Sequence, residues 1–214
     1  MNYTKLLREY CKKNNGAIFD VSKLKNMEFV EVPYKTLLKI LNRLEEEGLL
    51  KPVSKGVYFI GEKPVDEELI FDEYVDNGKG MFVGYQLFND VGISDYFDCK
   101  IEIHTNNIKA KQKSVGRYLL KRVDLEFDDD IVDLVALLEI IDVGYSMKGF
   151  DFMSYKKTVD MLLKSYSDNG FEKIIKAIRY KYSTIKQLSE LLEANSIDNN
   201  CVDIFESTYK NLIR

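Results

Sequence analysis

The stretch PYKTLLKILNRLEEEGLLKPVSKGVYFI, residues 33–60, contains the clearest structural pattern of the chain. It opens with Pro33, whose fixed φ suits the first turn of a helix, and Gly48 is placed to end that helix. Between them, four apolar side chains recur at helical spacing and predict one inward stripe: Leu37, Ile40, Leu41 and Leu44. Residues 49–53 and 57–60 are typical of two strands joined by the turn Ser54-Lys55-Gly56. The stretch therefore predicts a helix followed by a β-hairpin.

The residues before this stretch predict two more helices. Residues 3–11 place apolar side chains at helical spacing, and Asn14-Asn15-Gly16 supplies a stop, because Asn and Gly tolerate a left-handed backbone. Residues 17–19 are long enough only for a short strand, and Asp20 is suited to cap a short helix over residues 21–24. Three helices followed by a β-hairpin is the order of a winged helix-turn-helix domain, which we predict for residues 1–61.

The rest of the chain predicts a second domain over residues 65–214, after a linker at 61–64. Its first part, 65–127, has a mixed α/β pattern, and its second part, 130–214, is helical throughout. In the mixed part we expect helices at 66–76 and 81–91, strands at 99–105 and 117–123, and a polar connection at 109–116. The expected C-terminal helices are 131–142, 154–166, 170–180, 184–194 and 202–213. The predicted fold class is α+β: an N-terminal winged helix-turn-helix, a small mixed α/β middle segment and a helical C-terminal domain.

The composition is that of a globular protein, with 45% hydrophobic and 31% charged residues. The apolar runs are far shorter than the roughly 18–20 residues that cross a bilayer, and the N-terminal stretch has no apolar signal core. The three cysteines, Cys11, Cys99 and Cys201, are isolated and have no C-x-x-C spacing, so we expect them to be buried or half-buried apolar residues. These features predict a cytoplasmic protein with no membrane partner.

The charge is distributed unevenly along the chain. The net charge is −4, but residues 1–61 carry eleven Lys and Arg against seven Asp and Glu, a balance of +4. The remaining residues carry twenty against twenty-eight, a balance of −8. A basic module on an acidic remainder is the asymmetry expected when one part of a protein binds phosphates and the other binds something else.

One face of the predicted third helix is cationic. Lys35, Lys39 and Arg43 recur every four residues and share a face away from the leucine stripe, as a helix in the major groove of DNA requires. The helix also begins basic and ends in Glu45-Glu46-Glu47, which favours docking through its N-terminal end. The expected DNA-binding residues are Tyr34, Lys35, Thr36, Lys39, Asn42 and Arg43 on the helix and Lys51, Ser54 and Lys55 on the hairpin. The alternative is a solvated helix face in a protein-interaction adaptor that does not bind DNA.

The sequence offers few residues for catalysis. Its one histidine, His104, lies in a predicted strand on the side of Lys100 and Glu102, so we expect it at the surface. There is no Walker A loop, no G-x-G-x-x-G motif and no zinc spacing, and Asp128-Asp129-Asp130 is better suited to capping a helix than to binding a metal. We therefore predict no catalytic residue, cofactor or metal, with a nucleic-acid enzyme as a third hypothesis.

Residues 14–125 resemble the AbiEi-type family of antitoxins and winged-helix transcriptional regulators. The resemblance depends on GAIFD at 16–20, LLKILNRLEEEGLL at 37–50 and KGVY at 55–58 in the winged helix. It continues in GYQLFNDVGI at 84–93, IEIHTN at 101–106, VGRY at 115–118 and KRV at 121–123.

The resemblance implies an autoregulating antitoxin of a type IV toxin–antitoxin system. Such a protein binds inverted repeats in its own promoter through the winged helix. Its C-terminal domain opposes a cognate nucleotidyltransferase-like toxin. Stand-alone regulators with the same layout are also implied, and the sequence leaves open whether the chain forms a homodimer.

The dense aromatic residues of 145–171 are expected to form either the protein core or an interface with a second copy or a toxin. The basic run at 173–186 is expected to form either a second nucleic-acid surface or a solvated helix side.

Overall fold

A computed structural model of the chain describes residues 2–61 and 67–210, with the side chains of Glu67 and Lys210 left out. The fold is α+β, as predicted: a winged helix-turn-helix, a small mixed segment and a helical C-terminal part. In the described ranges, no helix is both long enough and apolar enough to cross a lipid bilayer.

The winged helix consists of three helices and a three-stranded antiparallel sheet. Its elements are α1 (Tyr3–Lys13), β1 (Ile18–Asp20), α2 (Val21–Met27), α3 (Tyr34–Glu46), β2 (Leu50–Ser54) and β3 (Val57–Ile60). The sheet order is β1-β3-β2. Pro33 is the N-cap of α3 and lies one residue before the helix, and Asp20 caps α2 as predicted. The apolar stripe of α3 is buried in a core shared with α1 and β2, so the inward face of the helix is held by packing.

The middle segment is built on a four-stranded mixed sheet. Its elements are α4 (Glu67–Tyr74), β4 (Gly80–Val83), α5 (Tyr85–Asp90), β5 (Ile101–Thr105), β6 (Gln112–Val115) and β7 (Tyr118–Arg122). The strand order is β4-β5-β7-β6, in which β5 and β7 run parallel and the other two pairs run antiparallel.

Two predictions for this segment are wrong. Residues 81–91 do not form one helix: Gly80–Val83 is strand β4, and α5 begins only after Gly84, which has a positive φ of 64°. Residues 109–116 are not only a connection, because Gln112–Val115 forms the edge strand β6. Strand β4 is short and pairs with residues distant in sequence, and β6 is short and polar, so local periodicity did not distinguish them. Residues 62–64 of the predicted linker lie outside the described residues.

The described C-terminal part, up to residue 210, packs five α-helices. They are α6 (Asp129–Val143), α7 (Phe152–Leu162), α8 (Asp168–Ala177), α9 (Tyr182–Ala194) and α10 (Cys201–Lys210). Helix α6 is buried along most of its length and packs against α7, α8 and α9. Asp128 caps it by accepting a hydrogen bond from the Ile131 N–H at 2.9 Å, as predicted. The end of the predicted last helix, residues 211–213, lies outside the described part.

The four-stranded sheet is covered on both faces. On one face, Ile103 and Leu120 pack with Ile70 and Tyr74 of α4, and Val57 of the winged helix belongs to the same cluster. On the other face, Met81 belongs to the core formed by α6 and its neighbouring helices. The sheet therefore joins the winged helix to the C-terminal helices, whereas the division into domains 1–61 and 65–214 stays a prediction.

The prediction of a surface histidine is wrong. His104 is 7% exposed, because it lies opposite Met81 in the β4–β5 pair and so points to the face that the C-terminal helices cover. Burial, together with the nearby Lys121 ammonium, lowers its pKa to about 4, and Glu102 opposes the shift only in part. Alternation in a strand identified the face of His104 but not what covers that face.

Candidate nucleic-acid interface

The outer face of α3 is cationic and accessible. Lys35, Lys39, Asn42 and Arg43 are exposed. On the opposite side, Leu37, Leu41 and Leu44 have no exposed surface. None of the ion pairs found within residues 2–61 and 67–210 involves Lys35, Lys39 or Arg43. The three cations are therefore available to an anionic ligand.

The N-terminal end of α3 adds backbone donors to this face. Pro33 supplies no side-chain cap, and the first helical hydrogen bond runs from the Leu37 N–H to the Pro33 carbonyl at 2.9 Å. The N–H groups of the first turn therefore point out of the helix without a capping side chain, where the helix dipole favours a negative charge. Tyr34 stands beside them with 56% of its surface exposed.

Thr36 contributes less to the surface than its neighbours. It is half-buried and lines a groove of about 510 Å³ between the start of α1 and α3. Asn2 and Thr4 form the α1 side of this groove, and Lys39 and Arg43 border it on α3. The N-terminus of α1 therefore lies beside the cationic face and adds neutral hydrogen-bonding groups to it.

Two of the three glutamates at the end of α3 are directed away from this face, whereas Glu46 is exposed three residues after Arg43 and borders it. Glu47 forms an ion pair with Arg8 of α1, which includes a 3.2 Å hydrogen bond from Arg8 Nε. Glu45 is half-buried. The pairing offsets part of the unfavourable interaction between an acidic last turn and the helix dipole.

The hairpin provides a second, smaller basic element. Lys51 and Lys55 are exposed, and Gly56 closes the turn with a positive φ of 73°. The strand pairing is irregular between Pro52 and Ser54. Ser54 is half-buried, and its hydroxyl oxygen is buried and has no partner among the described residues. A contact from Ser54 to DNA therefore requires rotation of its side chain.

A wider groove separates the winged helix from the four-stranded sheet. It has a volume of about 740 Å³ and is lined on one side by α2, Tyr34 and the hairpin turn. Its other wall is formed by residues of 109–114, which include Lys109 and Lys113. Residues 109–113, KAKQK, were predicted only as part of a polar connection, although a lysine at every second position marks them in the sequence.

The basic run at 173–186 is largely paired within the C-terminal helices. Lys176 contacts Glu172 at 2.6 Å and Lys181 contacts Asp142 at 2.9 Å. Arg179 lies 5.7 Å from the ring centre of Tyr209. These contacts favour a solvated helix side stabilised by local pairs over a second nucleic-acid surface.

The aromatic residues of the C-terminal part divide between core and surface. Tyr155 and Phe171 are buried, as core packing requires. Tyr145 and Phe152 are 66% and 53% exposed and contact each other with ring centres 6.4 Å apart. Met153 beside them is 72% exposed. Tyr145, Phe152 and Met153 therefore lie at the surface and not in the core.

Tyr180 and Glu139 form a part-buried polar pair among the C-terminal helices. Buried Tyr180 donates a hydrogen bond to Glu139 at 2.9 Å, and burial raises the pKa of this carboxyl. Within the described residues, no group of three His, Cys, Asp or Glu side chains is placed to hold a metal ion. The expectation that all cysteines are at least half-buried is wrong for Cys99, which is exposed because it lies in the loop before β5.

Comparisons with known proteins add little to these observations. No family model matches the chain, and no curated protein matches it. The chain is similar to the crystal structure of the RV2827C protein from Mycobacterium tuberculosis, with a TM-score of 0.42 and 14% sequence identity. The similarity covers 94% of this chain and 79% of that one.

Proposed function

We propose that this protein is a transcriptional regulator that binds double-stranded DNA through its winged helix. The observation that carries the proposal is the exposed face of α3, on which Lys35, Lys39 and Arg43 have no acidic partner among the described residues. A helix whose apolar side is locked into a domain and whose cationic side is free suits the major groove.

The surrounding elements support a defined docking geometry. The uncapped first turn of α3 favours contact with phosphate. The acidic last turn is repelled by phosphate and favours a position away from the duplex. Asn42 and Arg43 are positioned to read base edges, since amide and guanidinium groups pair with adenine and guanine in the major groove. Lys51 and Lys55 of the hairpin contact the backbone beside it.

The AbiEi-like segments extend the proposal to an autoregulating antitoxin. The segment at 37–50 spans most of α3 and the turn into β2, and the segment at 55–58 spans the hairpin turn. In this proposal the protein acts in the cytoplasm, binds inverted repeats of its own promoter and opposes a nucleotidyltransferase-like toxin. Binding to inverted repeats implies a homodimer on DNA, which sedimentation with and without the duplex tests.

The test measures the affinity for the DNA upstream of the gene at a series of salt concentrations, with fluorescence anisotropy as the readout. Replacing Lys39→Gln and Arg43→Gln together removes two phosphate or base contacts and should reduce the salt slope by about 2. At about 0.1 M salt this corresponds to a loss of roughly 60-fold in affinity. The matched control is Lys156→Gln with Lys157→Gln, two exposed cations on α7. Equal binding by the two double variants would contradict the proposal.

A protein-interaction adaptor is the second candidate. The observation in its favour is an apolar surface at the turn between α2 and α3, where Met27 and Val30 are 67% and 61% exposed. Exposed apolar side chains that lie together are typical of protein-binding sites. The same titration separates the two candidates, because an adaptor shows no binding of the wild-type protein to the duplex even at low salt.

A further inference from the structure

The wall of the groove that faces the winged helix carries unpaired positive charge. Lys109 and Lys111 are exposed in the loop between β5 and β6, and neither takes part in an ion pair found in the described ranges. On the opposite side of the groove, Lys55 of the hairpin turn is also exposed and unpaired there. Lys55 and Lys109 therefore present cations to the same space from its two sides, and Lys111 is exposed between the lining residues Ala110 and Gln112.

The other two lysines of the groove have structural roles. Lys113 forms an ion pair with Asp20 at 2.5 Å, and Lys25 donates a hydrogen bond to the Val30 carbonyl at 2.7 Å. Their charges are used inside the fold, which leaves Lys55 and Lys109 as the unpaired cations of the groove lining and Lys111 as an exposed cation beside it.

The loop is held in place by β7. The backbone N–H of Arg122 donates to the Lys111 carbonyl at 2.9 Å, and the Arg122 side chain donates to the Lys109 carbonyl at 3.2 Å. The following residues, Gln112–Val115, are paired with β7. A loop fixed in this way loses little conformational freedom when a ligand binds.

The loop is also fixed relative to the winged helix. The Asp20–Lys113 pair connects the start of α2 to β6, and Lys23 of α2 contacts Glu73 of α4 at 2.8 Å. Val57 of the hairpin packs in the core of the four-stranded sheet. Because both sides of the groove belong to one packed unit, a duplex seated on α3 and the hairpin has a defined distance from Lys109 and Lys111.

We propose that Lys109 and Lys111 bind backbone phosphates of the same DNA duplex that α3 and the hairpin contact. This inference rests on the proposed function and adds a third contact element from outside the winged helix. It follows from the shared groove: Tyr34 at the start of α3 and Lys55 at the hairpin turn line it together with the 109–114 wall. Lysines at such a position add affinity that does not depend on base sequence.

The experiment compares three double variants of the full chain with the wild type. They are Lys109→Gln with Lys111→Gln, Lys39→Gln with Arg43→Gln, and the control Lys156→Gln with Lys157→Gln. Binding is measured by fluorescence anisotropy between about 50 and 200 mM salt, on the upstream DNA and on a mixed-sequence duplex of about three helical turns. Thermal melting followed by circular dichroism establishes that each variant is folded before it is titrated.

The expected result is a loss of about 2 in the salt slope for the Lys109/Lys111 variant on both duplexes, with no change for the control. At about 0.1 M salt the affinity should fall by roughly 60-fold, to the same degree on both sequences. A wild-type slope for this variant, together with a reduced slope for the Lys39/Arg43 variant, overturns the third contact and leaves the proposed function standing. Failure of the wild type to bind either duplex overturns both.

Discussion

Lys113 of β6 forms an ion pair with Asp20 of the winged helix at 2.5 Å, and the two side chains are only 13% and 4% exposed. The same carboxylate accepts hydrogen bonds from the Ser22 N–H and hydroxyl at 2.9 and 2.6 Å, and so caps α2. Burial alone would raise the pKa of Asp20, but the hydrogen bonds from Lys113 and Ser22 outweigh it and lower this pKa. One carboxylate therefore both starts a helix and attaches the winged helix to the second sheet.

Replacing Lys113→Met should destabilise the protein by about 3 kcal/mol, because it leaves a buried carboxylate without its cation. The matched control is Lys23→Met, whose partner Glu73 is 25% exposed and whose loss should cost less than about 1 kcal/mol. Urea unfolding at neutral pH measures both. The pKa of Asp20 is lowered in the folded state, so the pair stabilises above about pH 4 and the difference should shrink below it. Equal losses in the two variants would contradict this role.

Acid should destabilise the protein through His104. Its pKa is about 4 in the folded state and about 6.5 unfolded, so the folded state keeps the ring neutral and the unfolded state takes up a proton first. This contribution is complete above about pH 6.5 and is lost as the pH falls towards 4, by about 2 kcal/mol between pH 7 and 5. His104→Gln should lack that part of the pH dependence.

The measurement for His104 is direct, since the chain has one histidine. Its imidazole NMR signals should titrate well below pH 6 in the folded protein. A midpoint close to 6.5, or an unchanged pH dependence of unfolding in His104→Gln, would show that the ring is not held neutral by burial.

Gly80 should not tolerate a larger residue. A Cβ at this position would overlap the carbonyl oxygens of His104 and Tyr74, the latter at 2.5 Å, because β4 passes close to both β5 and the end of α4. We expect Gly80→Ala to cost about 3 kcal/mol in the free energy of unfolding. Gly116→Ala is the control: it has open space and a positive φ of 57°, and should cost about 1 kcal/mol from backbone strain alone. A smaller loss at Gly80 than at Gly116 would refute the close approach.

The three thiols should differ in reactivity. Cys99 is exposed, whereas Cys11 and Cys201 are buried, and burial raises the pKa of Cys11 to about 11. Maleimide labelling followed by mass spectrometry should modify one thiol rapidly in the native protein and all three after unfolding. Cys99→Ser should abolish the rapid phase. Rapid double labelling of the native chain would place a second cysteine at the surface.

The α3 and capping predictions succeeded because their causes are local. The spacing of Leu37, Leu41 and Leu44 identifies the buried face of α3, since helical geometry places residues three and four apart on one side. Asp20 and Asp128 cap α2 and α6 because a short acidic side chain reaches N–H groups only two or three residues ahead. Such interactions are visible in a few consecutive residues.

The second sheet was predicted less well because β4 depends on a distant partner and β6 lacks an apolar pattern. Strand β4 pairs with β5 across about twenty residues, and a short apolar run followed by α5 has the same local pattern as a single helix. Strand β6 is polar and lies at the edge, where alternation is weak. The burial of His104 likewise depends on the C-terminal helices that cover its face of the sheet.

The amino-acid sequence alone determined the winged helix, its leucine-anchored third helix and the cationic residues on the outer side of that helix, because periodicity and turn chemistry act over a few residues. Only the tertiary structure decided which of those residues are accessible, that Lys109 lies across a groove from the hairpin turn, and that Lys113 forms an ion pair with Asp20. Residues some ninety positions apart meet through sheet pairing and shared core packing, and no local pattern encodes that proximity.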